Sequence, residues 1–168
     1  AGGSPEEARL EVSSDGHVTL YIGTQSNGQG HETAFRQIIS ERLGISFEEI
    51  SIVQGDSDRI ETGGGTMGSR SVPVGGSAIS ATAAMLIEKA KLKAAEMLET
   101  AIDDIEFENG EFKIVGTDRS ESFKSVAQAA APADGSASFD EKESFAPSEA
   151  TYPNGTHVCE LEIDEATG

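Results

Sequence analysis

The spacing of apolar residues along the chain predicts an alternation of strands and helices. Residues 10–22 carry alternating apolar side chains on both sides of a polar stretch ending in Gly16, which is typical of a β-hairpin. Residues 32–43 carry apolar side chains at helical spacing, and Gly44 follows as a natural end for that helix. Residues 50–53 then predict a short buried strand.

The second half of the chain continues this pattern. A long helix is predicted over residues 73–100, with small side chains in its first half and an amphipathic second half. Asn109-Gly110 lies between two apolar pairs and predicts a tight hairpin. A short helix is predicted over residues 123–130, and strands are predicted over residues 138–145 and 157–163.

These elements predict an α+β fold in two layers, with a mixed β-sheet of about six strands and two main helices packed on one face. At 168 residues the chain is long enough for a single domain, residues 1–168, with a core of its own. The chain starts without methionine, and the turn predicted over residues 164–168 has no strand after it. We therefore expect an excerpt of a longer subunit.

The chain is strongly acidic, with a formal net charge of −18 and a pI near 4.3. This balance argues against nucleic acid and anionic membranes as partners, because both carry negative charge. The lone Cys159 excludes an internal disulfide and gives no zinc-site spacing. No apolar run approaches the length of a membrane span and no signal peptide is visible, so we expect a cytoplasmic protein.

Two glycine-rich polar loops, residues 23–32 and 63–71, carry the strongest functional signal. Each loop runs directly into a predicted helix. Glycine lets the backbone approach a ligand closely, and a helix start offers unpaired N–H groups and a partial positive charge. Two such helix starts placed together would form a cradle for pyrophosphate. The alternative that both are ordinary glycine loops stays open at this point.

The other motifs do not predict a catalytic or metal site. Gly63-x-Gly65-x-x-Gly68 matches the dinucleotide fingerprint in spacing only, because no hydrophobic strand precedes it and no helix begins within it. Ser69 and Arg70 stand where a P-loop needs lysine and then serine or threonine. The three histidines lie on separate predicted elements. We therefore predict no metal ligands and no catalytic residue in this chain.

A set of motifs occurs in order along nearly the whole chain. The motifs are Gly23-Thr24-Gln25-Ser26-Asn27-Gly28-Gln29-Gly30-His31-Glu32-Thr33, Asp56-Ser57-Asp58, Gly65-Thr66-Met67-Gly68-Ser69-Arg70-Ser71, Thr151-Tyr152-Pro153-Asn154-Gly155-Thr156-His157-Val158 and Glu162-Ile163-Asp164-x-x-Thr167-Gly168. Together they resemble the large subunit of the molybdenum hydroxylases, a family that includes xanthine dehydrogenase, aldehyde oxidase and the aerobic carbon monoxide dehydrogenase. The resemblance is greatest to the carbon monoxide dehydrogenase-like branch.

The resemblance implies a molybdopterin cytosine dinucleotide cofactor with molybdenum, whose pyrophosphate would be the anion held by the two loops. It implies that Gln29, Gly30 and His31 contact the pterin or the pyrophosphate. It also implies that residues of the second loop hold the nucleotide end of the cofactor: Thr66, Gly68, Ser69, Arg70 and Ser71.

The resemblance further implies a parent enzyme, a molybdenum-containing oxidoreductase that hydroxylates a carbon centre with water or oxidises carbon monoxide. In this family the glutamate general base and the iron–sulfur and flavin parts lie outside the stretch that matches this chain. The expected partners are therefore the remainder of the same large subunit and iron–sulfur and flavin subunits or domains. We expect the fragment alone to lack the cofactor and activity. The competing hypothesis is a stand-alone, non-enzymatic anion- or nucleotide-binding module, which the length of the reading frame would distinguish.

Overall fold

A computed structural model describes residues 4–168 of the chain. The strands are β1 (Glu6–Val12), β2 (Val18–Ile22), β3 (Ile50–Val53), β4 (Ile105–Glu108), β5 (Glu111–Ile114), β6 (Ser120–Ser122) and β7 (Phe139–Phe145). The α-helices are α1 (His31–Leu43), α2 (Ser77–Leu98) and α3 (Phe123–Ala130), and a wide helical turn, Ser71–Gly76, leads directly into α2.

The larger sheet has four strands in the order β3-β2-β1-β7. Strand β1 pairs antiparallel with both β2 and β7, whereas β2 and β3 are parallel. A parallel pair needs a crossover connection, and α1 supplies it between the end of β2 and the start of β3. This crossover places the first glycine-rich loop at the end of β2, where the chain leaves the sheet.

The smaller sheet has three antiparallel strands in the order β4-β5-β6. Its first turn is Asn109-Gly110, and both residues have a positive φ, of 50° and 81°. That conformation matches the twist of a two-residue hairpin, so the tight hairpin predicted from the sequence is confirmed. The sheet follows α2 closely in the chain, and the Arg119 guanidinium donates to the Leu98 carbonyl at the end of that helix at 2.6 Å.

The core lies between the four-stranded sheet and α1 and α2. Alternate residues of β1 are fully buried and meet buried aliphatic residues of α2, such as Ile79 and Leu86. The small residues that lead into α2 allow close packing against α1: a Cβ added to Gly76, the last residue of the helical turn, would lie 2.8 Å from Cδ1 of Ile38. The run of small side chains predicted for this helix therefore serves helix–helix contact.

The buried Thr82 fixes the position of α2 on the sheet. Its hydroxyl lies 3.0 Å from the carbonyl oxygen of Ala8 on β1 and 2.9 Å from that of Ala78 in its own helix. We expect Thr82→Val to lower the free energy of unfolding by about 1 kcal/mol, because it removes a buried donor at nearly constant volume. Urea denaturation checks this value. An unchanged midpoint would show that the hydroxyl does not contribute to the contact between helix and sheet.

The α+β class and the two main helices on one face of a mixed sheet are confirmed. The expectation of one sheet of about six strands is wrong in detail, because β4, β5 and β6 pair with one another and cover their apolar side chains against α2 and α3. The strand predicted over residues 157–163 is not formed either. Val158, Leu161 and Ile163 are largely exposed there, and within residues 4–168 this segment joins neither sheet.

The turn predicted at residues 164–168 is formed. One carboxylate oxygen of Asp164 accepts the N–H groups of Ala166 at 2.8 Å and Thr167 at 3.0 Å. These bonds, of which the one from Ala166 has the largest effect, hold the pKa of the Asp164 carboxyl below its ordinary value. Across residues 4–168, no helix combines the length and the apolar content that crossing a membrane requires.

Candidate functional site

The first glycine-rich loop leaves β2 after Ile22 and ends where α1 begins at His31. Gly30 stands at the N-cap in the left-handed region, with φ 78°, and its carbonyl accepts the Ala34 N–H at 3.1 Å. No side chain among the described residues caps this helix start. A Cβ added to Gly28 or Gly30 would meet nothing within 4 Å, so the backbone there is open to a ligand.

The second loop follows β3 and ends at Ser71, where the helical turn before α2 begins. Its backbone is unusual, because Gly65, Gly68 and Ser69 all have a positive φ, of 71°, 55° and 55°. Ser69 is not glycine, so this conformation costs about 1 kcal/mol or more. Here too no side chain among residues 4–168 caps the helix start. Such strained, uncapped loops are typical of ligand-binding positions.

The third helix provides a contrast to these two open helix starts. At α3 the hydroxyl of Ser122 accepts the Ser125 N–H at 3.1 Å and so satisfies one of the free donors of the helix. At the equivalent position α1 has glycine, and the helical turn that leads into α2 has arginine. Their first N–H groups are therefore available to an external acceptor, and the partial positive charge of each helix faces that acceptor.

The two loops lie side by side. The hydroxyl of Thr66 in the second loop donates to the carbonyl of Gln25 in the first loop at 2.6 Å. A cavity of about 320 Å3 lies between the two helix starts, a volume at the lower end of small-molecule sites. The residues lining this cavity are Gln29, His31, Thr66, Met67, Gly68, Ser69, Ser71, Val72, Pro73 and Pro153.

His31 is the buried polar side chain of this cavity. It is 3% exposed, it is the first residue of α1, and its ring lies 5.2 Å from that of Phe35. Its Nδ1 is buried and has no hydrogen-bond partner among the described residues. Buried polar atoms in folded proteins are nearly always paired, so this ring nitrogen is an unused polar group on a residue that lines the cavity. As an N–H, Nδ1 could donate to a phosphate oxygen.

Six of the eight predicted cofactor-binding residues line this cavity: Gln29, His31, Thr66, Gly68, Ser69 and Ser71. Gly30 lies between two of them in the chain, at the N-cap of α1. The Gln29 side chain folds back on its own loop, where its carbonyl oxygen accepts the Asn27 N–H. Two apolar lining residues, Met67 and Pro153, were not predicted as site residues, although both lie within the motifs that carry the family resemblance.

Arg70 differs from the other predicted residues, because it does not line the cavity. Its side chain is 1% exposed and forms a buried ion pair with Glu6. Its guanidinium also donates to the carbonyls of Gly65 at 2.8 Å, Pro5 at 2.8 Å and Ser4 at 3.1 Å. Direct contact between Arg70 and a nucleotide stays a prediction.

Larger cavities lie elsewhere on the protein, but their linings do not suit an anion. A cavity of about 560 Å3 on the outer face of the sheet holds both basic and acidic side chains, including Arg59 and Asp140. Another, of about 790 Å3, lies between α1, α2 and the β4–β5 turn, where Glu41 and Glu108 outnumber the one basic side chain, Arg42. Within residues 4–168 there is no group of three or more histidine, cysteine, aspartate or glutamate side chains arranged to hold a metal ion.

The cavity between the loops therefore fits an anionic group. Two uncapped helix starts supply N–H donors, open glycine backbone allows close approach, and the orphaned Nδ1 of His31 supplies a further polar contact. These local donors matter because the chain as a whole is acidic, with a net charge of −18. The local field of the two helix starts favours an anion at this place although the protein as a whole is negative.

The chain is similar in sequence to known proteins. The family model described as the molybdopterin cofactor-binding domain matches residues 1–168. The carbon monoxide dehydrogenase large chain of Hydrogenophaga pseudoflava is 36% identical over 169 residues, which cover 97% of this chain and 21% of the relative. Subunit gamma of the 6-hydroxypseudooxynicotine dehydrogenase complex of Paenarthrobacter nicotinovorans is 39% identical over 168 residues, with the same shares of each chain.

The structural comparison agrees with the sequence comparison. The reconstituted carbon monoxide dehydrogenase from Oligotropha carboxidovorans superposes with a TM-score of 0.79 and 33% identity, over 85% of this chain and 18% of the other. The chain spans about a fifth of the length of the curated relatives it matches. The resemblance inferred from the loop motifs is confirmed: the chain belongs to the molybdopterin cofactor-binding domain family.

Proposed function

We propose that this chain is the part of a molybdenum-dependent hydroxylase or dehydrogenase large subunit that holds the pyrophosphate of a molybdopterin cytosine dinucleotide. The observation that carries this proposal is the cavity between two uncapped helix starts, lined by His31, whose buried Nδ1 has no hydrogen-bond partner among the described residues. The pyrophosphate supplies the oxygen acceptors that these donors lack. The family match and the relatives named carbon monoxide dehydrogenase support the same proposal.

The predicted residues divide between the two loops. Gln29, Gly30 and His31 would contact the pterin or the pyrophosphate from the start of α1. Residues of the second loop would hold the nucleotide end: Thr66, Gly68, Ser69 and Ser71 line the cavity, and Arg70 belongs to the same loop but does not line it. When bound, such a cofactor supplies the redox and oxygen-transfer chemistry, and this chain supplies position and electrostatics. Backbone N–H groups and the short side chains of Thr66, Ser69 and Ser71 hold an anion in a fixed place at a low cost in side-chain entropy.

The reaction and the partners belong to the parent protein. The parent would hydroxylate a carbon centre with oxygen from water, or oxidise carbon monoxide, and pass the electrons to iron–sulfur and flavin subunits or domains. The catalytic base would come from chain outside residues 1–168. The fragment alone is therefore expected to be inactive.

Nucleotide and metal analysis of the intact natural protein tests this proposal. We expect cytidine nucleotide and molybdenum in about equal amounts after acid release, because one cofactor contains both. His31→Leu should lower the retained nucleotide about tenfold, through loss of a buried hydrogen bond to a charged group. His17→Leu is the matched control, since its ring contacts the Ser51 hydroxyl on the sheet instead. Molybdenum without cytidine nucleotide would disprove the dinucleotide assignment, and full retention by His31→Leu would remove His31 from the site.

A further inference from the structure

Glu6 and Arg70 form a buried ion pair between the start of β1 and the end of the second loop. Each residue is 1% exposed, and the two are 64 positions apart in the chain. The donors of Arg70 also reach the carbonyl of Gly65 within the second loop and the carbonyls of Ser4 and Pro5 before β1. The pair therefore joins the second loop to the edge of the domain core.

Glu6 contacts the second loop as well. The carboxylate oxygen of Glu6 that pairs with Arg70 also accepts the N–H of Gly64 at 3.1 Å. The backbone passes so close to the guanidinium that a Cβ added to Gly64 would lie 2.5 Å from it. Both partners of the ion pair thus contact residues 64–65, immediately before the strained part of the loop.

The ion pair also reaches the base of the first loop. A Cβ added to Gly23 would overlap the Cα of Gly63 and lie 2.8 Å from a carboxylate oxygen of Glu6. The backbones of the two loops are therefore in contact beside the ion pair. Any shift of Glu6 or Arg70 would be transmitted to both loops, since neither has room to move independently.

This pair is poorly suited to a role in stability alone. Glu6 Oε1 and Arg70 Nε are buried without a hydrogen-bond partner among residues 4–168. Burying two charges costs solvation free energy that an incompletely satisfied pair does not recover, and apolar residues of similar volume often stabilise such a position better. The hydrogen bonds of the pair instead join Gly64 and Gly65 of the second loop to the segment before β1, which indicates a role in loop geometry.

We propose that Glu6 and Arg70 are positioning residues that hold the two loops in the conformation that binds the anion. This inference rests on the proposed function of the cavity. It assigns a role to Glu6, which carries no signal in the sequence, and it gives Arg70 an action through the loop backbone at Gly65. Neither side chain contacts the ligand in this arrangement.

Hydrogen exchange on the intact natural protein, stripped of nucleotide, tests the positioning role directly. Glu6→Gln keeps the shape of the side chain and leaves the Arg70 charge without its partner. We expect the hydrogen-bonded amides of the two loops, those of Asn27, Gly64 and Arg70, to exchange about tenfold faster, with smaller changes in the helices, because the loops lose their anchor while the core is retained. The control is Asp140→Asn, which breaks the more exposed ion pair of Arg9 on the same strand and should leave loop exchange unchanged.

A double variant separates positioning from stability. Glu6→Leu combined with Arg70→Met replaces the pair by apolar side chains and should keep the melting temperature while the loops stay unprotected. It also serves if Glu6→Gln does not fold. Wild-type loop protection in either variant would overturn the proposal.

Nucleotide retention then separates this inference from the proposed function. In the loaded natural protein, Glu6→Gln and Arg70→Met should each lower retained cytidine nucleotide about tenfold. If Arg70→Met loses the nucleotide while Glu6→Gln keeps both the nucleotide and the loop protection, Arg70 contacts the nucleotide itself. That result would overturn the proposal. A wild-type protein without cytidine nucleotide would disprove the proposed function, while the exchange measurement on nucleotide-free protein would still decide the role of the pair.

Discussion

Replacing Gly44 with alanine is expected to lower the free energy of unfolding by about 3 kcal/mol, the sum of a strained backbone and an overpacked contact. Gly44 ends α1 in the left-handed region, with φ 63° and ψ 30°. A Cβ there would overlap the backbone of Asn109 and Gly110 in the β4–β5 turn. Two turns of the chain meet at this point, so neither can yield without moving a helix or a sheet.

Gly116→Ala is the matched control for this variant. Gly116 also has a positive φ, of 77°, but a Cβ added to it would meet nothing within 4 Å. This control should cost only the backbone strain, about 1 kcal/mol. Urea denaturation of both variants isolates the contact between α1 and the β4–β5 turn as the difference. Equal losses for the two variants would show that this contact is soft and that α1 and the smaller sheet are not locked together.

The contact between Gly44 and the Asn109-Gly110 turn also shows what the sequence could predict and what it could not. Gly44 as the end of α1, and Asn109-Gly110 as a hairpin turn, were both predictable because each depends on the conformation of one or two residues. That these turns touch each other depends on how α1 packs against the smaller sheet. No local pattern carries that information.

The unformed strand at residues 157–163 has a related cause. Its alternation of apolar and polar residues specifies two faces, which is a local property. A strand also needs a neighbour to pair with its backbone, and an alternating pattern does not identify that neighbour. Within residues 4–168 this segment has no neighbouring strand, and Val158 is 89% exposed.

Some features of the candidate site were likewise predictable from local sequence, and others required the tertiary structure. Its loops were predictable because glycine-rich segments that lead into helices have a local signature. The orphaned Nδ1 of His31 and the cavity beside it required the tertiary structure. The Glu6–Arg70 pair was not predictable, since one glutamate among 30 acidic residues has no distinguishing feature until its burial is known.

The start of α2 allows the sharpest test of the anion site. Ser71 is 9% exposed, lies at the first position of the helical turn before α2, and lines the cavity. A carboxylate at this position would lie beside a bound phosphate and compete with it for the same N–H groups. Its charge should suit the helix start, so the free energy of unfolding should change by less than about 1 kcal/mol. Binding and stability should therefore respond differently to a single substitution.

Ser71→Asp is accordingly expected to abolish retention of the cofactor nucleotide while the protein stays folded. A carboxylate about 5 Å from a phosphate, at an effective dielectric constant near 20, opposes binding by about 3 kcal/mol, which is roughly a hundredfold. The measurement is cytidine nucleotide per polypeptide in the intact natural protein, alongside its melting temperature. Ser71→Ala removes the hydroxyl without adding charge and should lower retention only a few-fold, by about 1 kcal/mol.

Ser122→Asp provides the control for charge at a helix start. Aspartate is as good an N-cap as serine, and α3 already uses Ser122 to cap the Ser125 N–H. This variant should therefore change neither stability nor nucleotide content, although it adds the same charge to an already acidic protein. Equal nucleotide loss in both aspartate variants would point to the net charge of the protein. Full retention in Ser71→Asp would show that no anionic group binds at the start of α2, because a phosphate and a carboxylate cannot share one set of N–H donors without a large electrostatic cost.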